Sequence, residues 1–156
     1  MFIPLINKFL KKNNCKIIFE PGRSIIGNTG ILISKIIYIK KNKNKNFVIL
    51  DAAMNDLMRT ALYGAKHQII PSKKNKKITN KIFEFVGPIC ESTDKFLTTK
   101  KFQNIREGEL IIICDVGAYG MSLSSNYNVR TLPAEILVKN SKMQVIKSRQ
   151  KLSDII

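Results

Sequence analysis

A thiol and a carboxylate stand side by side at Cys90-Glu91, and Ser92, Thr93 and Asp94 follow at once. The apolar run Ile82 to Val86 leads into them. Gly87-Pro88 breaks that run, because Pro fixes φ and cannot donate to a strand ladder. Reactive groups held at the end of a rigid strand are a common way to build a site. Read alone, the same residues also describe a buried Cys closing a strand, followed by a solvated turn.

Three other stretches could do chemistry. Glu20-Pro21-Gly22-Arg23 combines a carboxylate able to pair with a protonated ring nitrogen, a Gly that permits close approach to an anion, and a planar guanidinium suited to phosphate or carboxylate. Arg59 and Tyr63 are spaced i, i+4 and would share one helix face, where together they could grip a carboxylate. Gly117-Ala118-Tyr119-Gly120 presents a phenol on a Gly-flanked turn and opens a small-residue loop through Ser122, Ser124, Ser125, Asn126 and Tyr127. Each has a plainer reading: a tight turn with a surface Arg, a solvated Arg beside a half-buried Tyr, an aromatic plug under a loop.

The elements that must position these groups follow from periodicity. Ile3, Ile6, Phe9 and Leu10 recur near helical spacing and predict a helix over Ile3 to Asn13. Lys16 to Phe19 reads as a short buried strand, so the chain opens with helix, turn and strand, as one half of an α/β repeat. Residues 1–29 are therefore read as the end of a larger α/β unit, and 30–156 as a β domain. Ile31 to Ile39, Phe47 to Ala53, Ile82 to Val86, Glu109 to Asp115, Ala134 to Lys139 and Lys142 to Ile146 are six strand candidates. With no long helices between them they predict a mainly β fold, an antiparallel barrel or sandwich. Short helices are expected at Asp56 to Tyr63 and Arg149 to Ile156, the second capped by Ser148.

The net charge is +16, from 27 Lys+Arg against 11 Asp+Glu, which raises the question of a nucleic-acid partner. The excess sits mostly in two Lys/Asn tracts, Lys40 to Asn46 and Lys73 to Lys77, each lying between apolar runs as a surface turn would. No aromatic residues are interleaved with them, so no nucleic-acid partner is expected. The single His excludes a multi-His metal site, and three widely spaced Cys suggest neither a disulfide framework nor a zinc site. A reducing cytosol fits them best. The N-terminal apolar stretch is too short to span a membrane.

Five blocks in order carry a resemblance: EPGRS (20–24), DAAMNDLMRTALY (51–63), VGPICESTD (86–94), GAYG (117–120) and SSNYN (124–128). On these the chain resembles the C-terminal part of the diaminopimelate decarboxylases, pyridoxal-phosphate enzymes of the alanine-racemase-like fold type. Glu91 matters most, since related ornithine and arginine decarboxylases typically carry Asp after the Cys. Two positions depart from the pattern: Thr60 stands where the family usually has Pro, and Lys95 reads as an insertion.

The resemblance implies a C-terminal β domain preceded by the last helix and strand of a (β/α)8 barrel. It implies pyridoxal 5'-phosphate as cofactor, with Glu20 on its ring nitrogen, Gly22 and Arg23 at its phosphate, and Tyr119 touching cofactor and substrate. Arg23, Arg59, Tyr63 and Glu91 would bind meso-diaminopimelate, Glu91 through the distal ammonium. Cys90 would be the proton donor after CO₂ leaves. Cys90 and Glu91 would act across a homodimer interface. The barrel, about 250 residues in full, would supply the lysine that holds the cofactor, so this chain is expected to need an N-terminal barrel fragment and to be inactive alone, in the cytoplasm. The alternatives are a related decarboxylase of another basic amino acid, a decayed remnant, or a basic nucleic-acid-binding β-barrel.

Overall fold

In the computed structural model, which describes residues 2–74 and 77–156, alternating burial builds the sheet. Strands β1 (Leu32–Lys41) and β2 (Lys45–Leu50) form an antiparallel hairpin in which Ser34 and Ile36, then Asn46, Val48 and Leu50, point inward at every second residue. Within the Lys40 to Asn46 tract, expected as a surface turn, only residues 42–44 turn, closed by Asn42 N–H to the Lys45 carbonyl at 2.9 Å. Lys40 and Lys41 end β1, Lys45 and Asn46 begin β2, and Asn46 is buried because the alternation of β2 points it inward. Helix α1 (Ile3–Asn13) precedes them, and α2 (Arg23–Ile26) is a single turn. Of the Lys73 to Lys77 tract, Asn75 and Lys76 lie outside the described residues.

The remaining elements in order are α3 (Arg59–Tyr63), β3 (Ile69–Pro71), β4 (Ile78–Thr79), β5 (Ile82–Val86), β6 (Lys95–Thr99), β7 (Phe102–Gln103), β8 (Leu110–Ile113), β9 (Glu135–Lys139) and β10 (Lys142–Lys147). Six strands join in the order β3-β8-β1-β2-β5-β6. The core lies against this sheet, centred on Ile36, Val48, Leu50, Leu57, Phe85, Ile111 and Ile113, all fully buried. Phe102 packs its ring on Phe85 with centroids 4.8 Å apart.

The mainly β class predicted from the sequence is what forms. Every pairing in the large sheet is antiparallel except β2 with β5. A parallel pair cannot be joined by a tight turn and needs a long crossover. Residues 51–81 are that crossover, and they carry Arg59 and Tyr63.

Several local expectations are corrected. Lys16 to Phe19 is neither strand nor buried: Ile18 is 88% exposed, and among the described residues the segment pairs with no strand, so no ladder forms. The helix expected over Asp56 to Tyr63 begins only at Arg59, since Asp56 closes a turn by accepting the Ala53 N–H at 2.8 Å. The second strand stops at Leu50 for a related reason: the Asp51 carboxylate turns back onto the Ser34 hydroxyl and the Lys35 N–H. The terminal helix shrinks to one 3-10 turn, Leu152–Asp154, capped by Asp154 on the Lys151 N–H rather than by Ser148.

Helix α1 forms as predicted. Pro4 sits at its start and Asn14 ends it in the left-handed region at φ 38°. It buries none of its residues.

Candidate functional site

The glycines set the site's geometry. A Cβ on Gly117 would fall 2.1 Å from the Ile26 carbonyl, and one on Gly30 would fall 2.5 Å from the Gly117 Cα. Only bare backbone fits there, so the end of α2 docks directly on the 116–120 loop. Val116 N–H to the Gly30 carbonyl and Gly117 N–H to the Gly27 carbonyl, both 3.0 Å, fasten the contact. This junction brings the Glu20 to Arg23 stretch to Tyr119: the phenol oxygen lies 3.3 Å from where a Gly22 Cβ would sit. Arg23 donates to the Asp115 carbonyl at 3.3 Å.

Arg59 joins the same group. Its guanidinium lies 5.4 Å from the Tyr63 ring centroid and 5.6 Å from that of Tyr119, an arrangement a cation and aromatic faces favour. Its Nε is buried with no partner among the described residues. Tyr119 adopts φ +60° and is half exposed. The i, i+4 pairing of Arg59 with Tyr63 thus forms, and Gly22 and Tyr119 stand beside it. Glu20 is exposed, with no hydrogen bond among the described residues.

Cys90 and Glu91 make a second group, on the loop between β5 and β6. One buried carboxylate organises that loop. Asp94 accepts the Met54 N–H at 2.7 Å on one oxygen and the Ile89 N–H at 2.8 Å on the other, and its carbonyl accepts the Gly87 N–H at 3.0 Å. Gly87 is required, since a Cβ there would lie 2.2 Å from the Asp94 carboxylate. Burial pushes the Asp94 carboxyl above its ordinary value, against the lowering effect of those N–H donors and of Arg130. Cys90 itself is exposed, not buried as a strand cap would be: the backbone turns outward after Ile89, which is the buried member of the loop.

Tyr127 completes this second group by donating to Glu91 Oε1 at 2.6 Å. Among the described residues, no hydrogen bond, ion pair or ring contact joins Cys90 or Glu91 to Arg59 or Tyr119. Sequence reasoning left Asp94 and Tyr127 without roles. Both lie in stretches the motifs had marked, but spacing alone could not pair Tyr127 with a residue 36 positions away. His67, the only histidine, is buried with Nδ1 2.8 Å from the Cys114 carbonyl.

Comparison with known proteins decides the family. The family model described as pyridoxal-dependent decarboxylase, C-terminal sheet domain, matches residues 18–117. The chain belongs to that family. It is 41% identical over 154 residues to a diaminopimelate decarboxylase of Aquifex aeolicus, covering 97% of this chain and 36% of the relative. The Zymomonas mobilis enzyme of the same name is 43% identical over 154 residues, covering 97% and 35%. The crystal structure of Helicobacter pylori diaminopimelate decarboxylase complexed with L-lysine superposes with TM-score 0.82 at 42% identity, covering 96% of this chain and 36% of that one. The chain thus spans little more than a third of the length of the relatives it matches.

The residues present fit one side of the pyridoxal cofactor these decarboxylases are named for. The exposed Glu20 carboxylate suits a pyridinium N–H. The backbone at Gly22, with the Tyr119 hydroxyl close above it, and the Arg23 guanidinium, which donates to the Asp115 carbonyl, suit a phosphate. The Tyr119 phenol stands next to Gly22.

Proposed function

We propose that this chain is the sheet domain of a diaminopimelate decarboxylase, converting meso-diaminopimelate to L-lysine once it works with a cofactor-binding barrel. The observation that carries the reading is identity above 40% to enzymes of that name across nearly the whole chain. Pyridoxal phosphate, when bound, supplies the electron sink for loss of CO₂. Glu20 keeps the ring nitrogen protonated, Gly22 and Arg23 hold the phosphate, and Tyr119 lies against cofactor and substrate. Arg59 and Tyr63, with Arg23, bind the substrate carboxylate side, and Glu91 takes the distal ammonium. Cys90 Sγ delivers the proton to the carbon that lost its carboxylate, and an exposed thiol on a well-tied loop can reach a site outside its own chain. That site is the partner's in a homodimer.

Residues 1–29 are assigned to the edge of the barrel, and 30–156 to the sheet domain. The exposed Ile3, Leu5 and Phe9 of α1 and the exposed Ile18 and Phe19 are the surface a barrel would cover. Three free cysteines suit a reducing cytoplasm; no described helix is long and apolar enough to cross a membrane. The test assays this chain alone and joined to the cofactor-binding barrel of the Aquifex aeolicus relative, following CO₂ release from diaminopimelate, ornithine and lysine. Turnover of diaminopimelate only by the joined form is expected. Turnover by the lone chain would overturn the need for a barrel, and preference for another amino acid would overturn the substrate.

A further inference from the structure

We propose that Tyr127 is a positioning residue: its phenol orients the Glu91 carboxylate for a cationic substrate group, and the strained turn behind it holds the phenol in place. The inference rests on the decarboxylase reading above.

The Tyr127 hydroxyl donates to Glu91 Oε1 at 2.6 Å, within the short range of hydrogen bonds to a carboxylate. An exposed glutamate otherwise samples many rotamers, and ordering it weakens any ligand it binds. With Oε1 occupied by the phenol, Oε2 makes no hydrogen bond among the described residues. The hydrogen bond and the negative charge of Glu91 also push the Tyr127 phenol above its ordinary value.

The backbone behind Tyr127 is unusual. Asn128 and Val129 are both left-handed, at φ 56° and 57°. Asn tolerates this region, but a β-branched Val does not adopt it without cost. Such strain persists only where the surroundings over-determine the conformation, and it gathers at sites that need preorganisation. The surroundings here do so from two sides. Asn126 Nδ2 donates to the Arg130 carbonyl at 2.8 Å and to Gln150 Oε1 at 2.6 Å, tying the turn to the C-terminal segment. The fully buried Asn55 exchanges two 3.0 Å bonds with Ser125, tying it to the segment that leads to Arg59. Arg130, just past the strained pair, donates to the Asp51 carbonyl. None of these bonds is needed to close the sheet; together they deliver one phenol to one carboxylate.

Two measurements test the inference. In the chain joined to the barrel, Tyr127→Phe is expected to raise KM for diaminopimelate about tenfold with kcat changed less than about twofold, the loss of one hydrogen bond to a charged group. Glu91→Gln should raise KM further, and Tyr127→Phe should add little on top of it. An unchanged KM in an active parent overturns the inference and leaves the decarboxylase reading standing. An inactive parent overturns that reading instead. The pairing is checked separately on the full chain alone, by ultraviolet titration of the parent minus Tyr127→Phe. Glu91→Gln should move the Tyr127 titration to lower pH; no movement overturns the inference whatever the enzyme does.

Discussion

The loop over residues 87–94 and the segment over residues 14–22 carry residues assigned to one reaction, yet they are built oppositely. The loop hangs from two paired strands and is closed by a buried carboxylate that satisfies two backbone N–H groups. The segment has no regular structure, exposes Ile18 and Phe19, and runs from the end of α1 to the point where α2 meets the 116–120 loop. An order that a sheet imposes is available to the chain by itself. The segment lacks that order, since among the described residues no strand offers it a ladder. Cys90 and Glu91 therefore have a defined frame in this chain, while Glu20 stands exposed on an irregular segment.

Breaking the loop side of this contrast should cost most. Asp94→Asn keeps the shape but leaves only one acceptor oxygen, so one of the Met54 and Ile89 N–H groups faces an amide donor. Relief of the buried charge offsets part of the loss, and a net destabilisation of about 1–2 kcal/mol is expected by urea denaturation. The pH trend follows from the raised Asp94 pKa. The folded state holds the proton more tightly, so this group's contribution is complete below the ordinary value of 3.8 and is lost as pH rises through the raised one. The gap between parent and variant should be widest in acid.

Glu84, at the strand that leads into the loop, sharpens the comparison by running the other way. Burial pushes its carboxyl up, but hydrogen bonds from Lys45 and Lys95 outweigh it and hold the group below its ordinary value of 4.5. Its contribution is present above that value and is lost as pH falls through the lowered one. Both lysines are partly exposed, so Glu84→Gln should cost about 1 kcal/mol or less at pH 7, and the cost should vanish in acid. The smallest effect belongs to the segment. Phe19→Ser removes a side chain 63% exposed and should leave stability within about 0.5 kcal/mol, although it alters a surface the barrel is proposed to cover.

Much of the scaffold was legible because burial and the two-residue repeat of a strand write the same pattern. Ile82 to Val86 was read with its observed bounds, and the Lys40 to Asn46 tract does contain the hairpin turn, at residues 42–44, though its ends belong to the strands. The failures share a cause. Lys16 to Phe19 has a strand's composition but no ladder partner, and short strands such as Ile78–Thr79 exist only through their pairing with Phe102–Gln103. The apolar run Phe47 to Ala53 also looked like one strand, until the Asp51 carboxylate ended it from within.

The sequence by itself determined the inventory: which residues could carry the chemistry, the β class, and the resemblance resting on five short blocks. Local spacing suffices for these, because a motif is a statement about neighbours along the chain. Tertiary structure alone decided the grouping. It placed Tyr119 over Gly22 through glycines too close for any side chain, turned Cys90 outward, made Asp94 the keystone of its loop, and set Tyr127 on Glu91. The contacts of Tyr119 with Gly22, Asp94 with Met54 and Tyr127 with Glu91 join segments far apart in the chain, made when the sheet closes its register and brings its loops together.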